Sequence, residues 1–239
     1  MKLMKKILHG TILAATLLLT GSCMKDPDFL ITNDQTMGDI IDGRFLSDQG
    51  IWYDIVEQTC EGRLADCKRA LIVSDVLKNT STKDELSYEI RLKNFVEVGL
   101  PELVTDPEAE QQDPVLVDLA WVSGGYLNLR IVYYVLPESG VHHTFRVAVK
   151  QTPTLFDPLI VQVFHDAGGQ FLGAQDIADD SLEAQASFVS VPISTYYTAS
   201  ADETCSYYVV EFLWHKTAED GETLLHETEM TELKGNLYR

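Results

Sequence analysis

Few residues of the 239-residue chain have types and spacings that suggest catalysis. His165 and Asp166 are adjacent, and a carboxylate can orient an imidazole in a hydrolytic or metal-binding site. They stand at the end of a strand-like run, just before Gly168 and Gly169. A side chain at such a place commonly bonds the turn backbone. We therefore interpret His165 as a structural residue, and keep a hydrolase built on His165 and Asp166 as a lesser alternative.

Other histidines and acids form no metal-binding or catalytic pattern that we can identify. His142 and His143 are neighbours, and neighbours on a strand point to opposite faces, so they do not readily share one ion. The acids Asp176, Asp179 and Asp180 lack the alternation and the glycine of a calcium loop. The sequence also lacks a nucleophile elbow, a zinc-protease motif and a phosphate-binding glycine loop. We expect no cofactor, no metal site and no enzymatic activity.

The cysteines offer a different chemistry, and Cys23 is the most informative of them. It follows Gly21 and Ser22 at the end of an apolar run, 7–20, that comes after three lysines. A positive start, a short apolar middle and small residues before the cut are the parts of an export signal. The run is too short to cross a bilayer comfortably, and Cys after Gly-Ser resembles a bacterial lipobox. We predict that residues 1–22 are removed and that acyl chains on Cys23 anchor the protein in the cell envelope, in the outer membrane.

Three cysteines remain after lipidation: Cys60, Cys67 and Cys205. Cys60 and Cys67 flank a polar stretch between two strand-like runs, and we predict that a disulfide closes this loop in the oxidising envelope. So short a loop would be stabilised by about 2–3 kcal/mol at best. Cys205 lies among acids, which disfavour the reactive thiolate. We expect it to stay reduced.

The chain is strongly acidic, with 18 Lys and Arg against 37 Asp and Glu and a formal net charge of −19. Such a surface repels phosphate backbones, so nucleic acid is not an expected partner. It also repels anionic lipid headgroups, so attachment to a membrane must come from the acyl chains on Cys23. The charge is interpreted first as a means of keeping an exported protein soluble.

Alternation of apolar and polar residues predicts an all-β chain. In the run 126–135, Leu127, Leu129 and Ile131 share one face and Asn128 lies on the other, which is typical of a half-buried strand. Further strands are predicted at 39–46, 51–57, 69–77, 86–92, 116–121, 143–151, 159–165, 186–193, 206–216 and 222–233. Turn residues separate these runs.

A proline-broken acidic stretch, 101–114, divides the chain. We predict a tether at 23–36, a small β-barrel at 37–100, a linker at 101–114 and an antiparallel β-sandwich at 115–239. In the tether, Lys25 and the acids after it resemble a surface-export signal of some bacterial lipoproteins. The two β units are expected to fold independently.

Two blocks of sequence, 68–73 and 121–129, carry a family resemblance. Together with the lipobox, Lys-Arg-Ala-Leu-Ile-Val in the first block and Gly-Gly-Tyr-Leu-Asn in the second resemble the NigD-like lipoproteins. The pairs 165–166 and 187–188 are similar to that family's C-terminal half. The resemblance covers most of the mature chain and implies an OB-like barrel followed by a β-sandwich.

The resemblance implies no catalytic residues, and the paired Cys60 and Cys67 depart from the family pattern. The family's name reflects a bacteriocin-linked gene context, which is an association and not a mechanism. The function expected first is a non-enzymatic binding or accessory module for an extracytoplasmic protein or glycan. A bacteriocin-immunity or envelope-protection role is the alternative.

Overall fold

The computed structural model describes residues 30–170, 182–196, 206–217 and 224–236. They form 13 β-strands, three short 3-10 turns and no α-helix, which confirms the predicted all-β class. The strands are β1 (Ile31–Ile41), β2 (Arg44–Ser47), β3 (Trp52–Gln58), β4 (Arg69–Asn79), β5 (Ser87–Gly99), β6 (Glu102–Leu103), β7 (Leu116–Ser123), β8 (Tyr126–Val135), β9 (Thr144–Gln151), β10 (Leu159–Asp166), β11 (Glu183–Pro192), β12 (Tyr207–Thr217) and β13 (Leu224–Asn236).

Strands β1 to β5 close into a ring, here called the N-terminal ring. β1 pairs with β2 and β4, β2 pairs with β3, and β5 pairs with both β4 and β3. Each strand therefore has two neighbours, and closure removes unpaired edges. Phe45, Ile72, Ile90 and Leu92 fill the interior and are fully buried. This closed ring confirms the OB-like arrangement that the sequence predicted at the N-terminus.

Strands β6 to β13 form the C-terminal sandwich. β11, β8 and β7 continue the sheet of the ring and face a second sheet, whose order is β13-β12-β10-β9-β6. Leu127, Leu129 and Ile131 of β8 point into the core between the sheets, with Val161 of β10 and Val210 of β12 opposite them. The apolar face predicted for β8 is thus the core face.

The first strand differs from the prediction at both ends. β1 begins at Ile31, opposite Val76 of β4, inside the stretch assigned to the tether. Polar residues near the start of β1 interrupt the alternation of apolar and polar side chains, so the sequence pattern does not indicate a strand there. The strand predicted at 39–46 is also two strands, because Asp42 and Gly43 have φ values of 51° and 80° and form a tight turn. An Asp-Gly pair with positive φ at both positions is a hairpin turn.

The predicted linker, 101–114, packs against the sandwich. β6 within it pairs in parallel with β9. The Asp113 N–H donates to the His165 carbonyl, and the Asp113 carboxylate accepts the Ala167 N–H at 2.8 Å. Farther along the chain, β11 pairs in parallel with β5, placing Phe188 opposite Val98. The ring and the sandwich therefore share one continuous sheet.

Candidate functional site

Several predicted residues lie outside the described part of the chain, and their roles stay predictions. They are Cys23, Cys205, Asp176, Asp179 and Asp180. Within the described part, no helix is long and apolar enough to span a membrane. Nor do three or more His, Cys, Asp or Glu residues gather there as ligands for a metal ion.

The loop between Cys60 and Cys67 covers one end of the N-terminal ring. Leu64 in its 3-10 turn is 4% exposed and joins the ring core. The Gln58 side chain donates to the carbonyls of Cys60 and Gly62 at 3.0 and 2.7 Å. Both cysteines are half-buried free thiols in this structure. Burial above all raises the pKa of the Cys67 thiol, helped by nearby carboxylates. This structure does not test the predicted disulfide between the two cysteines, which stays a prediction.

The residues of the two family-like blocks meet at the junction between ring and sandwich. Arg69 of β4 is fully buried and lies at its centre. Its Nη1 donates to Asp39 Oδ1 at 2.9 Å and its Nη2 donates to Asp48 Oδ2 at 2.7 Å, both within the ring. From the sandwich, Ser190 accepts a hydrogen bond from Nε at 2.9 Å and Asn128 accepts one from Nη2 at 3.2 Å. One guanidinium thus binds both halves of the molecule.

A chain of hydrogen bonds closes the junction. Ser190 Oγ donates to Asn128 Oδ1 at 2.6 Å, and Asn128 Nδ2 donates to Ser123 Oγ at 2.9 Å. Ser123 in turn donates to Asp48. Because a buried polar group left unpaired is costly, these hydrogen bonds and the two carboxylates make the buried charge tolerable. We refer to Arg69 and these partners as the Arg69 junction.

The Gly-Gly turn between β7 and β8 shapes the junction. Gly124 and Gly125 have φ values of 59° and 83°, which L side chains rarely adopt. A Cβ on Gly124 would also overlap the Asp48 carboxylate. Tyr126, directly after the turn, lies under Arg69 with 4.0 Å between the guanidinium Cζ and the ring centroid. The Gly-Gly-Tyr block therefore stabilises the fold through a tight turn and a cation–π contact.

The second polar cluster contains His165, the histidine that the sequence singled out. His165 on β10 is 1% exposed and stacks on Phe145 of the neighbouring strand, with ring centroids 5.1 Å apart. His143, just before β9, lies 2.9 Å from it, between Nδ1 of His143 and Nε2 of His165. Tyr133 covers both imidazoles. Sequence spacing gave no sign of this pair, because 22 residues separate the two histidines.

Gln170 holds His143 in this cluster. Its Oε1 accepts the Leu136 N–H at 3.2 Å and its Nε2 donates to Ser139. Oε1 is thus an acceptor, and His143 Nε2 must donate to it across 3.0 Å. His143 Nδ1 and His165 Nε2 share the hydrogen bond that joins the two rings. The backbone of Asp113 and Pro114 also lies within hydrogen-bonding reach of the His165 ring.

This geometry does not suit acid–base catalysis by His165 and Asp166. Asp166 accepts the Gly168 N–H at 2.8 Å, so its carboxylate caps the turn and does not orient the imidazole. Burial, and then the neighbouring His143, lower the pKa of His165 to about 4, with Asp113 acting in the opposite direction. A general base works best with a pKa near the working pH and within reach of substrate. His165 is instead a neutral core residue.

Two shallow clefts lie away from the histidines. The first, about 190 Å³, is at the end of the ring beside the cysteine loop, and Ile40, Ile55, Leu64 and Arg63 contribute to it. The second, about 250 Å³, lies beside β6, where Arg146 Nη1 pairs with Glu110 Oε2 at 2.8 Å. Ligand pockets usually exceed about 300 Å³ and are mostly apolar. Neither cleft gathers groups that would act on a substrate.

The β9–β10 turn presents exposed apolar side chains on a rigid support. Leu155 is 52% exposed and Phe156 is 86% exposed. The Thr154 hydroxyl accepts the N–H groups of Phe156 and Asp157 at 3.3 and 3.1 Å and donates to the Asp157 carboxylate at 2.8 Å. The Thr154 N–H donates to the Asp157 carbonyl at 3.0 Å. The turn is therefore held in one conformation with Phe156 outward.

The fold is shared with solved structures of bacterial proteins. A protein from Bacteroides fragilis described as a candidate lipoprotein aligns with a TM-score of 0.55 and 14% identity, over 85% of this chain and 98% of that one. A protein of unknown function, DUF1344, from Bacteroides vulgatus aligns with a TM-score of 0.53 and 16% identity, over 84% and 90%. A NigD-like immunity protein from Bacteroides caccae aligns with a TM-score of 0.48 and 16% identity, over 89% and 99%.

These likenesses bear on the fold alone, because identities of 14–16% do not carry a function from one chain to another. At that level the two alignments with TM-scores above 0.5 agree with the all-β fold. No protein-family model matches the sequence, and no curated protein does. The class of protein is therefore a two-part all-β protein with a closed ring and a sandwich.

Proposed function

We propose that the protein is a non-enzymatic binding module held at the cell envelope by acyl chains on Cys23. The observation that carries the binding role is the β9–β10 turn, where a network around Thr154 holds Phe156 86% exposed. Exposing a large aromatic side chain on a rigid turn has no benefit for folding, whereas pre-organised aromatic groups are the usual anchors of protein interfaces.

The polar residues of the Arg69 junction support this proposal by exclusion. Arg69, Asn128 and Ser190 are fully buried and bonded to one another, so they hold the two halves together and do not face a ligand. His165 is buried against Phe145. Together these contacts favour a binding role over hydrolysis by His165 and Asp166.

The envelope location is supported by the lipobox at 21–23 and by the shared fold with a Bacteroides fragilis protein described as a candidate lipoprotein. The acidic composition, with a formal net charge of −19, disfavours attachment to anionic lipid headgroups. The acyl chains on Cys23, and not a charged surface, would therefore attach the protein to the membrane. A protein is the favoured partner, and a glycan is the second choice because no exposed aromatic platform borders either cleft in the described residues.

The experiment is chemical cross-linking of the full chain in intact cells, followed by purification from detergent-solubilised envelope. Any candidate is then purified and titrated with the purified chain. Saturable binding at a fixed stoichiometry supports the proposal. Turnover of a glycan or peptide that disappears in His165→Ala, while the melting temperature is unchanged, would contradict it and restore the hydrolase alternative.

A further inference from the structure

The exposed apolar residues at one end of the second sheet lie close together in the topology. β10 and β12 run in parallel, with Leu159 opposite Tyr208. Tyr207, which is 57% exposed, therefore starts β12 beside the place where the β9–β10 turn enters β10. Leu155, Phe156 and Tyr207 are thus presented at the same end of the sandwich. We refer to these three residues as the apolar tip.

The apolar tip is built to be rigid. Pro153 and Pro158 bracket the turn, and proline fixes φ. Inside this bracket, Thr154 makes the hydrogen bonds described above to Phe156 and Asp157. At the base of the turn the Gln151 side chain donates to the Pro158 carbonyl at 3.0 Å. A pre-organised apolar group loses little conformational entropy on binding.

The charges around the tip indicate what it binds. The segment 151–166 contains no Lys or Arg, and Asp157 stands exposed beside Phe156. The lysines nearest the tip on β9 and β13 are each paired with a glutamate, Lys150 with Glu211 at 2.6 Å and Lys234 with Glu232 at 3.1 Å. Asp157 therefore leaves the described border of the tip with a net negative charge. An anionic lipid surface or a second copy of this acidic chain would bring like charges together, which is unfavourable.

We propose that the apolar tip docks into an apolar pocket of a partner protein whose rim carries Lys or Arg. This deepens the proposed function by naming the surface and the chemistry of the partner. Phe156 is the anchor that fills the pocket, Leu155 and Tyr207 exclude water around it, and Asp157 faces the basic rim. An exposed aromatic anchor with a polar border is the common arrangement of an interface hot spot.

Site-specific photo-cross-linking tests the surface in the full chain. Benzoylphenylalanine is placed at position 156 and, as a matched control, at position 86, because Leu86 is also exposed (56%) but lies on the ring. The expected result is one protein cross-linked from position 156 and not from position 86. Cross-linking from 156 to lipid, or to a second copy of the chain, would overturn the proposal.

Titration of the purified cross-linked protein then measures the anchor. We expect Phe156→Ser to raise the dissociation constant by about tenfold or more, while Leu86→Ser changes it less than about twofold. Thr154→Val should weaken binding severalfold by loosening the turn, and Asp157→Asn should weaken it and reduce its dependence on salt. Unchanged affinity in Phe156→Ser overturns the proposal. If that variant still binds the partner found in the envelope purification, the surface is wrong and the proposed function stands; if no partner binds at all, both fail.

Discussion

Arg69 lies over the ring of Tyr126, with its guanidinium carbon 4.0 Å from the ring centroid. The two residues belong to different halves of the molecule, Arg69 to β4 of the ring and Tyr126 to β8 of the sandwich. Through this contact and the hydrogen bonds beside it, the Arg69 junction joins two units that the sequence analysis expected to fold independently. The contribution of this junction to the free energy of unfolding can therefore be measured by substituting its residues.

Replacing Arg69 should destabilise the protein strongly. In Arg69→Met, the Asp48 carboxylate, whose side chain is 3% exposed, loses its buried cation. Breaking a buried ion pair from one side costs about 3–5 kcal/mol. Urea unfolding of the variant should show this loss in the free energy of unfolding. The control is Lys78→Ala, which removes an ion pair whose lysine is 65% exposed and should cost less than about 1 kcal/mol.

The ring and the sandwich should unfold in one transition. β5 and β11 share a sheet and the Arg69 junction is common to both halves, so the loss of one half exposes buried polar groups of the other. Two single-tryptophan variants report the halves separately: one keeps Trp52 in β3, the other keeps Trp121 in β7. Coincident urea midpoints are expected. Well-separated midpoints would instead favour independent units joined at 101–114.

The buried His165 should make the protein less stable in acid. Its folded pKa is lowered to about 4, whereas the unfolded value is near 6.5. The unfolded chain therefore binds a proton that the folded chain refuses, and the contribution of His165 to stability, complete above about pH 6.5, is lost as pH falls toward 4. The loss is of the order of 3 kcal/mol at most.

A pair of variants isolates this effect. His165→Phe keeps a ring against Phe145 and should flatten the fall in unfolding free energy between about pH 6.5 and pH 4. His142→Gln, at an exposed position, should keep the wild-type profile. A profile for His165→Phe identical to that of the wild type would contradict the assignment.

Lipidation is predicted at Cys23. Cys23→Ala removes the thiol that would carry the acyl chains, so the protein should leave the membrane fraction and lose labelling by a fatty-acid probe. Cys60→Ala serves as the control and should remain with the membrane. Unchanged fractionation and labelling of Cys23→Ala would show that another feature holds the chain in the envelope.

The oxidised mature protein is predicted to contain one disulfide, between Cys60 and Cys67, and a reduced Cys205. Both loop cysteines are half-buried, and burial disfavours the Cys67 thiolate, so the bond should form slowly without a catalyst. Peptide mapping after alkylation under non-reducing conditions checks this. Three alkylated cysteines in protein purified from the envelope would refute the pairing.

The sequence by itself determined most of the strands and the core face of β8. Leu127, Leu129 and Ile131 alternate with polar neighbours, and all three are fully buried. This works because alternation along a strand is a local property that follows from its geometry. The Asp42-Gly43 turn could also have been predicted, since that pair is a strong hairpin signal between apolar runs.

The tertiary structure alone decided what the polar residues do. Asn128 was assigned to the face opposite the apolar one, yet it is fully buried, because at this position β8 meets Arg69 of the ring. Arg69 meets it across 59 residues and meets Ser190 across 121. Likewise, the His165 ring bonds His143, whereas the Asp166 carboxylate accepts the Gly168 N–H. Such pairings depend on which strands become neighbours, and non-local strand pairing leaves no local pattern in the sequence.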